Sequence, residues 1–161
     1  MQTRKEPGHW ETDLLESVRR DRNALQVCVE RKSRLARLEK INNKSADTSR
    51  GALQNMLENY PDKLRRTITY DNGKENVEHT LLNKDLNMKS YFCQPYHSWE
   101  KGSVENINGL IRRFLPKKTI LANISDSNIK EIEHWLNNRP KKCLNFKTPK
   151  EVFDSFVALA P

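Results

Sequence analysis

The apolar positions fall into runs whose spacing changes along the chain. Trp10, Leu14, Leu15 and Val18 give His9 to Val18 the character of a strand, and Arg19-Arg20-Asp21-Arg22-Asn23 follows as a polar turn. Leu25, Val27 and Val29 alternate with Gln26 and Cys28, the period-two pattern of a second strand. After the charged turn Arg31-Lys32-Ser33-Arg34, a third strand is expected from Leu35 to Ile41. Leu35, Arg37, Glu39 and Ile41 share one of its faces, Ala36 and Leu38 the other. These three strands predict an antiparallel meander.

The period then lengthens. Leu53, Met56, Leu57 and Tyr60 recur at helical spacing, so Ser45 to Tyr60 reads as a helix capped by Ser45 or Asp47 and stopped by Pro61. Leu64 to Tyr70 predicts a fourth strand ending at the turn-forming trio Asp71-Asn72-Gly73. A helix is expected from about Lys74 to Leu86, then a fifth strand from Met88 to Cys93. Pro95-Tyr96-His97 reads as a loop, and Ser98 as the cap of a helix running to Phe114 and broken by Pro116. Ser125 or Asp126 caps a helix through Asn137, and Thr148-Pro149 opens the last one. The order βββαβαβα plus two short helices predicts an α/β fold, a mixed five-stranded sheet flanked by helices. With no repeat or low-complexity linker, 161 residues predict one domain. Residues 1–115 would form its core, including the Glu105 helix, and 116–161 a C-terminal helical extension, with Lys117 to Asn123 as the softest boundary.

Composition narrows the classes. The apolar set is 35%; five glycines raise it to about 38%, below the roughly 45–50% of soluble domains. Charged residues make up 31%, so the core is thin and the surface highly charged. No apolar run approaches the roughly 18 residues of a membrane helix, and MQTRKEPGHWE lacks a signal-peptide core. Cys28, Cys93 and Cys143 are odd in number and form no CxxC pair, which suits a reducing, cytoplasmic setting. The net charge of +8 would draw polyanions by counterion release. A solubility surplus gives the same number, so charge alone does not choose.

Three acids suggest chemistry. Asp13 lies on the first strand, Asp71 at the carboxyl end of the fourth and Glu105 in the helix after the fifth. Adjacent strands can bring Asp13 to Asp71, at strand ends where α/β sheets place sites. Val104, Ile107, Ile111 and Phe114 form the core stripe of the third helix, and Glu105 falls beside it, near the small residues Gly102 and Gly109. Three carboxylates without a Cys/His cluster favour Mg²⁺ or Mn²⁺ over zinc. Paired ions roughly 3.5–4 Å apart can activate a hydroxyl and stabilise the leaving oxygen of a phosphodiester. Among 21 acids a chance triple is expected, so spacing leaves both readings open.

These residues resemble the catalytic core of DDE transposases and retroviral-type integrases, above all the insertion-sequence-thirty family of bacterial transposases. GHWETDLL (8–15) is similar to that family's first-Asp motif, VERKSR (29–34) to the connection after its second strand, and ITYDNGKE (68–75) to its second-Asp motif. YFCQPYHSWEKGSVENINGLIRRFLPK (91–117) resembles the segment around its catalytic Glu, and LNNRPKKCLNFKTPKEVF (136–153) its C-terminal segment. Thirty-three residues separate Asp71 from Glu105, as in that family. The resemblance implies an RNase H-like fold and Mg²⁺-dependent DNA cleavage and strand transfer. It makes Asp13, Asp71 and Glu105 the catalytic ligands, with two Mg²⁺ (or Mn²⁺) ions. It also implies element ends and target DNA as partners and a homo-oligomer, a dimer above all, because two ends need two active sites. Such transposases carry an N-terminal helix-turn-helix that reads the element's ends. No segment here matches it, so end recognition is not expected of this chain alone.

Other residues fill in the expected site. Glu75 is a rival third ligand or a first-turn helix acid; Glu11, on the face of Asp13, is an assistant to the site or a salt-bridge partner. His79 is expected near the site or at the surface, and Trp99 in the core or under a base. Tyr96, Asn108 and Arg112 are expected on DNA, with Lys74, Lys101, Arg113, Lys117 and Lys118 widening the basic track. Arg139, Lys141 and Lys142 form a second cluster. Two other functions remain open: an RNase H-like nuclease on RNA–DNA hybrids, and a non-catalytic DNA-binding or assembly fragment.

Overall fold

The computed structural model describes residues 5–71, 78–94 and 98–160, without the side chains of Ser98 and Trp99. Three strands open it: β1 (His9–Glu16), β2 (Ala24–Glu30) and β3 (Ala36–Ile41), paired antiparallel through short polar turns. Helix α1 (Ala46–Leu57) then crosses the sheet to β4 (Thr67–Tyr70), and α2 (His79–Leu86) leads to β5 (Lys89–Phe92). Strands β4 and β5 run parallel to β1, and the sheet order is β3-β2-β1-β4-β5. Three more helices follow, α3 (Gly102–Phe114), α4 (Asp126–Asn137) and α5 (Pro149–Ala158). The mixed five-stranded sheet and its flanking helices match the sequence expectation.

Alternation along the strands sorts side chains into two cores. Trp10, Cys28, Ile41, Ile68 and Tyr70 pack with Leu53, Met56 and Leu57 of α1, Leu82 and Leu86 of α2 and Phe153 of α5. On the opposite face Leu25, Val27, Val29, Ala36 and Leu38 pack with Val104, Ile107 and Ile111 of α3 and Ile129, Ile132 and Leu136 of α4. All seven residues of β2 are buried, because helices cover both of its faces. The C-terminal helices thus complete the cores of the sheet.

Local chemistry fixes several boundaries. Ser45, Ser125 and Thr148 each accept a hydrogen bond from the backbone N–H three residues on, capping α1, α4 and α5. Glu151 returns a bond to the Thr148 N–H, closing a capping box ahead of Pro149. Residues 98–101 form a 3₁₀ turn and α3 begins at Gly102, four residues later than the expected cap, with no side-chain hydrogen bond from its N-cap residue Lys101. Gly8 has φ +95°, and a Cβ there would meet Lys63 O at 2.7 Å, so only glycine fits where β1 joins β4. Gly102 and Gly109 face open space, with no described atom of this chain within 4 Å of where a Cβ would stand.

Edge strand β3 is covered from α4. The Asn137 amide, with 7% of its surface exposed, donates to Ala36 O and accepts from Ala36 N, both at 2.8 Å. Glu133 accepts from Leu38 N at 2.7 Å. Together they occupy polar backbone groups that an edge strand otherwise offers to other chains.

Candidate active site

Asp13 and Glu11 project from one face of β1. Their partners across the antiparallel pair are Val27 and Val29, both in the core under α3, so the two carboxylates face that helix. Asp71 follows directly on β4, which is parallel to β1 and paired with it through Glu11 and Thr69. Two residues further along each chain stand Asp13 and Asp71. Between them lies the ammonium of Lys101, 3.4 Å from Asp13 Oδ1 and 3.8 Å from Asp71 Oδ2. It also donates to the Thr12 carbonyl at 3.1 Å. The lysine side chain is 8% exposed, against 25% for Asp13 and 45% for Asp71, so the cation lies beneath the carboxylates it joins.

Glu11 supplies what α3 lacks. Its fully buried Oε2 accepts from Ser103 N and Val104 N, each at 2.9 Å, in the first turn of the helix. A carboxylate there satisfies orphan N–H groups and meets the positive end of the helix dipole. Arg31 Nε stands 2.9 Å from Glu11 Oε1, and Arg34 donates to Ser103 Oγ. The turn between β2 and β3, folded around the buried Glu30 carboxylate, therefore braces the start of α3. The sequence puts Glu11 on the face of Asp13 but does not reveal this role, because Ser98 offers itself as a local cap and nothing near Gly102 points to an acceptor 92 residues earlier.

Nearly two turns into α3, Asn108 Nδ2 donates to Asp13 Oδ2 at 2.8 Å, while Leu14 N donates to Oδ1 at 3.0 Å. Asn108 Oδ1 is buried and has no hydrogen-bond partner. Glu105, three residues before Asn108 and hence its neighbour on the helix surface, is exposed. The structure brings Asp13 and Asp71 to one cation but does not add Glu105. Among the described residues no three His, Cys, Asp or Glu side chains gather closely enough to hold a metal ion.

Several of the expected DNA contacts have partners within the chain. Asn108 is spent on Asp13, and Lys101 on the two acids and Thr12, so neither side chain stands free on a basic face. Arg112 donates to Glu16 O at 3.0 Å and Leu115 O at 3.4 Å, tying the end of α3 to the end of β1. Arg113 is exposed. His79 packs edge-on to Phe92 with centroids 4.7 Å apart and beside Tyr70 at 6.4 Å. Tyr70 belongs to the core under α1 and α2, so the imidazole takes part in an aromatic cluster at the edge of that core. Lys74, Glu75 and Tyr96 lie outside the described residues.

The donor set fits a hard divalent cation. Two carboxylates already flank a positive charge, and beside them a buried amide oxygen lacks a partner. All are oxygen donors, as Mg²⁺ and Mn²⁺ require.

Residues 3–98 match the Integrase core domain family. The chain is 38% identical over 156 residues to the transposase InsI of insertion sequence element IS30A from Escherichia coli K12, covering 97% of this chain and 40% of that protein. It is likewise 38% identical over 152 residues to the transposase of element IS1086 from Cupriavidus metallidurans, covering 94% and 44%. The chain thus spans about two fifths of the length of these relatives. The crystal structure of the catalytic core domain of BIV integrase superposes with a TM-score of 0.69 at 17% identity, over 92% of this chain and 95% of that one. That likeness identifies the fold as the RNase H-like integrase core.

Proposed function

The chain belongs to the Integrase core domain family, and on that premise we propose that it is the catalytic core of a DNA transposase. It would cut a DNA strand and join the freed 3′-hydroxyl to target DNA, a metal-dependent phosphoryl transfer. The observation that carries the reading is the convergence of Asp13 and Asp71 on one cation beside α3. Asp13 and Asp71 would hold the divalent ions, and Glu105 would join them from its place one helical turn before Asn108. Bound ions would activate the attacking hydroxyl and stabilise the leaving oxygen. The protein's own part is orientation: Asn108 and the Leu14 N–H fix the Asp13 carboxylate, and Glu11 fixes the helix that bears Glu105. DNA would be the partner, drawn by the net charge of +8 and contacted by Arg113 and the Arg139, Lys141 and Lys142 cluster. A homodimer would join two DNA ends.

Replacement of Asp71 by Asn tests the reading in a DNA-joining assay with Mg²⁺. Loss of joined product is expected; undiminished joining removes the carboxylate pair from the mechanism. The separation of Glu105 from the pair favours a second reading, a DNA-binding or assembly fragment. That reading predicts salt-sensitive DNA binding with no Mg²⁺-dependent product.

A further inference from the structure

The placement of Lys101 is anomalous for a helix start. It is the residue immediately before α3, where the helix dipole presents its positive end and a cation is disfavoured. Helix stability therefore does not account for a lysine buried at this point. The surroundings do. Its ammonium offers three N–H donors, and three oxygens face it: Thr12 O at 3.1 Å, Asp13 Oδ1 at 3.4 Å and Asp71 Oδ2 at 3.8 Å. Without it, two carboxylates from neighbouring strands would repel each other at the sheet face.

The distances also matter. Charge-assisted N–H···O bonds close to about 2.7–2.9 Å. Both carboxylate contacts are longer, so the ammonium is shared between the acids and locked to neither. We propose that Lys101 is the built-in counter-cation of the Asp13–Asp71 pair, standing where a divalent ion enters, so that metal binding and Lys101 withdrawal are one exchange. The inference rests on the reading of Asp13 and Asp71 as metal ligands. Lys101 is then a competitor for the site rather than a DNA contact or a metal-site helper. In the metal-free chain the lysine keeps the acids together. A divalent ion beside a retained ammonium would meet like charge within about 4 Å, so the flexible four-carbon stem must carry the ammonium away.

The test is Mn²⁺ binding, read from the free ion by electron paramagnetic resonance, for the 161-residue chain and for Lys101→Met. Asp71→Asn is the control, and Lys101→Gln replaces the Met variant if that does not fold. Lys101→Met is expected to bind Mn²⁺ about tenfold tighter or more, because a like charge has been removed from the site. Its metal-free melting temperature is expected to fall, and the rise on adding Mn²⁺ to exceed that of the unaltered chain. A second measurement follows the Lys101 ammonium by NMR: a protected signal in the metal-free chain should be lost or shifted on adding Mg²⁺. Equal or weaker Mn²⁺ binding by the lysine variants overturns the exchange, and leaves the metal reading standing where Asp71→Asn still lowers affinity. Absence of Mn²⁺ binding in every chain overturns both.

Discussion

Asn108 on α3 donates a 2.8 Å hydrogen bond to Oδ2 of Asp13 on β1, joining residues 95 positions apart at the carboxylate on which the proposed chemistry depends. Hydrogen bonds to charged groups contribute about 1.5–3 kcal/mol. Asn108→Ala is therefore expected to lower stability by about 1–2 kcal/mol, since Asp13 keeps the Leu14 N–H and gains water. Asn108→Asp sets a like charge against Asp13 and should lower the melting temperature further in chelator. Millimolar Mn²⁺ should restore most of that loss for the Asp variant and little for the Ala variant. Thermal melts in the two conditions decide it; an Asp variant indifferent to Mn²⁺ would separate Asn108 from any cation site.

Glu11 ties the same helix to the same strand more deeply. Removing one partner of a buried charge pair costs about 3–5 kcal/mol, and Glu11→Ala also strands the Ser103 and Val104 N–H groups and leaves Arg31 without its carboxylate. Glu11→Gln keeps an amide oxygen for those donors and is expected to cost about 1–2 kcal/mol. Urea unfolding curves should rank the variants in that order. A Glu11→Ala chain within about 1 kcal/mol of the unaltered one would show that the helix start finds acceptors elsewhere.

These two contacts mark where the sequence stops being readable. The alternation of Leu25, Val27 and Val29, and of Leu35 through Ile41, places each on its observed face, because one core-facing side chain in two is a local signal. The caps at Ser45, Ser125 and Thr148 are equally local, each lying three residues from its donor. The cap of α3 is not: its acceptor is Glu11, 92 residues earlier than Ser103. Helical spacing puts Asn108 and Arg112 three and seven residues beyond Glu105, on its side of the helix. Their partners, Asp13 and the Glu16 carbonyl, belong to a strand that only the sheet order brings beside α3. Lys101 reads as one basic residue among 29, and nothing adjacent in sequence signals its burial between two acids.

Asn137 protects an edge. Its amide meets both backbone groups of Ala36, and Asn137→Ala leaves a buried N–H and C=O unpaired at about 1–3 kcal/mol each before water enters. The expected result is a loss of about 2–3 kcal/mol in urea unfolding, together with concentration-dependent light scattering as β3 becomes available to other chains. Destabilisation without added scattering would mean that Glu133, on Leu38 N, protects the edge alone.

The acid limb of stability should depend on Asp21. Burial alone would raise its pKa, but hydrogen bonds from the Ser17 hydroxyl, the Asn23 side chain and the Asn23 and Ala122 N–H groups outweigh it and hold the carboxyl well below the usual carboxylate range. A folded-state pKa below the unfolded value means that the unfolded chain binds the proton first as pH falls. The stabilisation is therefore fully present above the unfolded pKa of about 3.9 and drains away below it, toward the depressed folded value. Because Ala122 lies in the segment between α3 and α4, the loss should loosen that segment from the β1–β2 turn. The difference in unfolding free energy between the unaltered chain and Asp21→Ala should be constant from about pH 7 to pH 5 and shrink below about pH 4. A difference of the same size at about pH 7 and about pH 3 would show that Asp21 acts through shape and not through its charge.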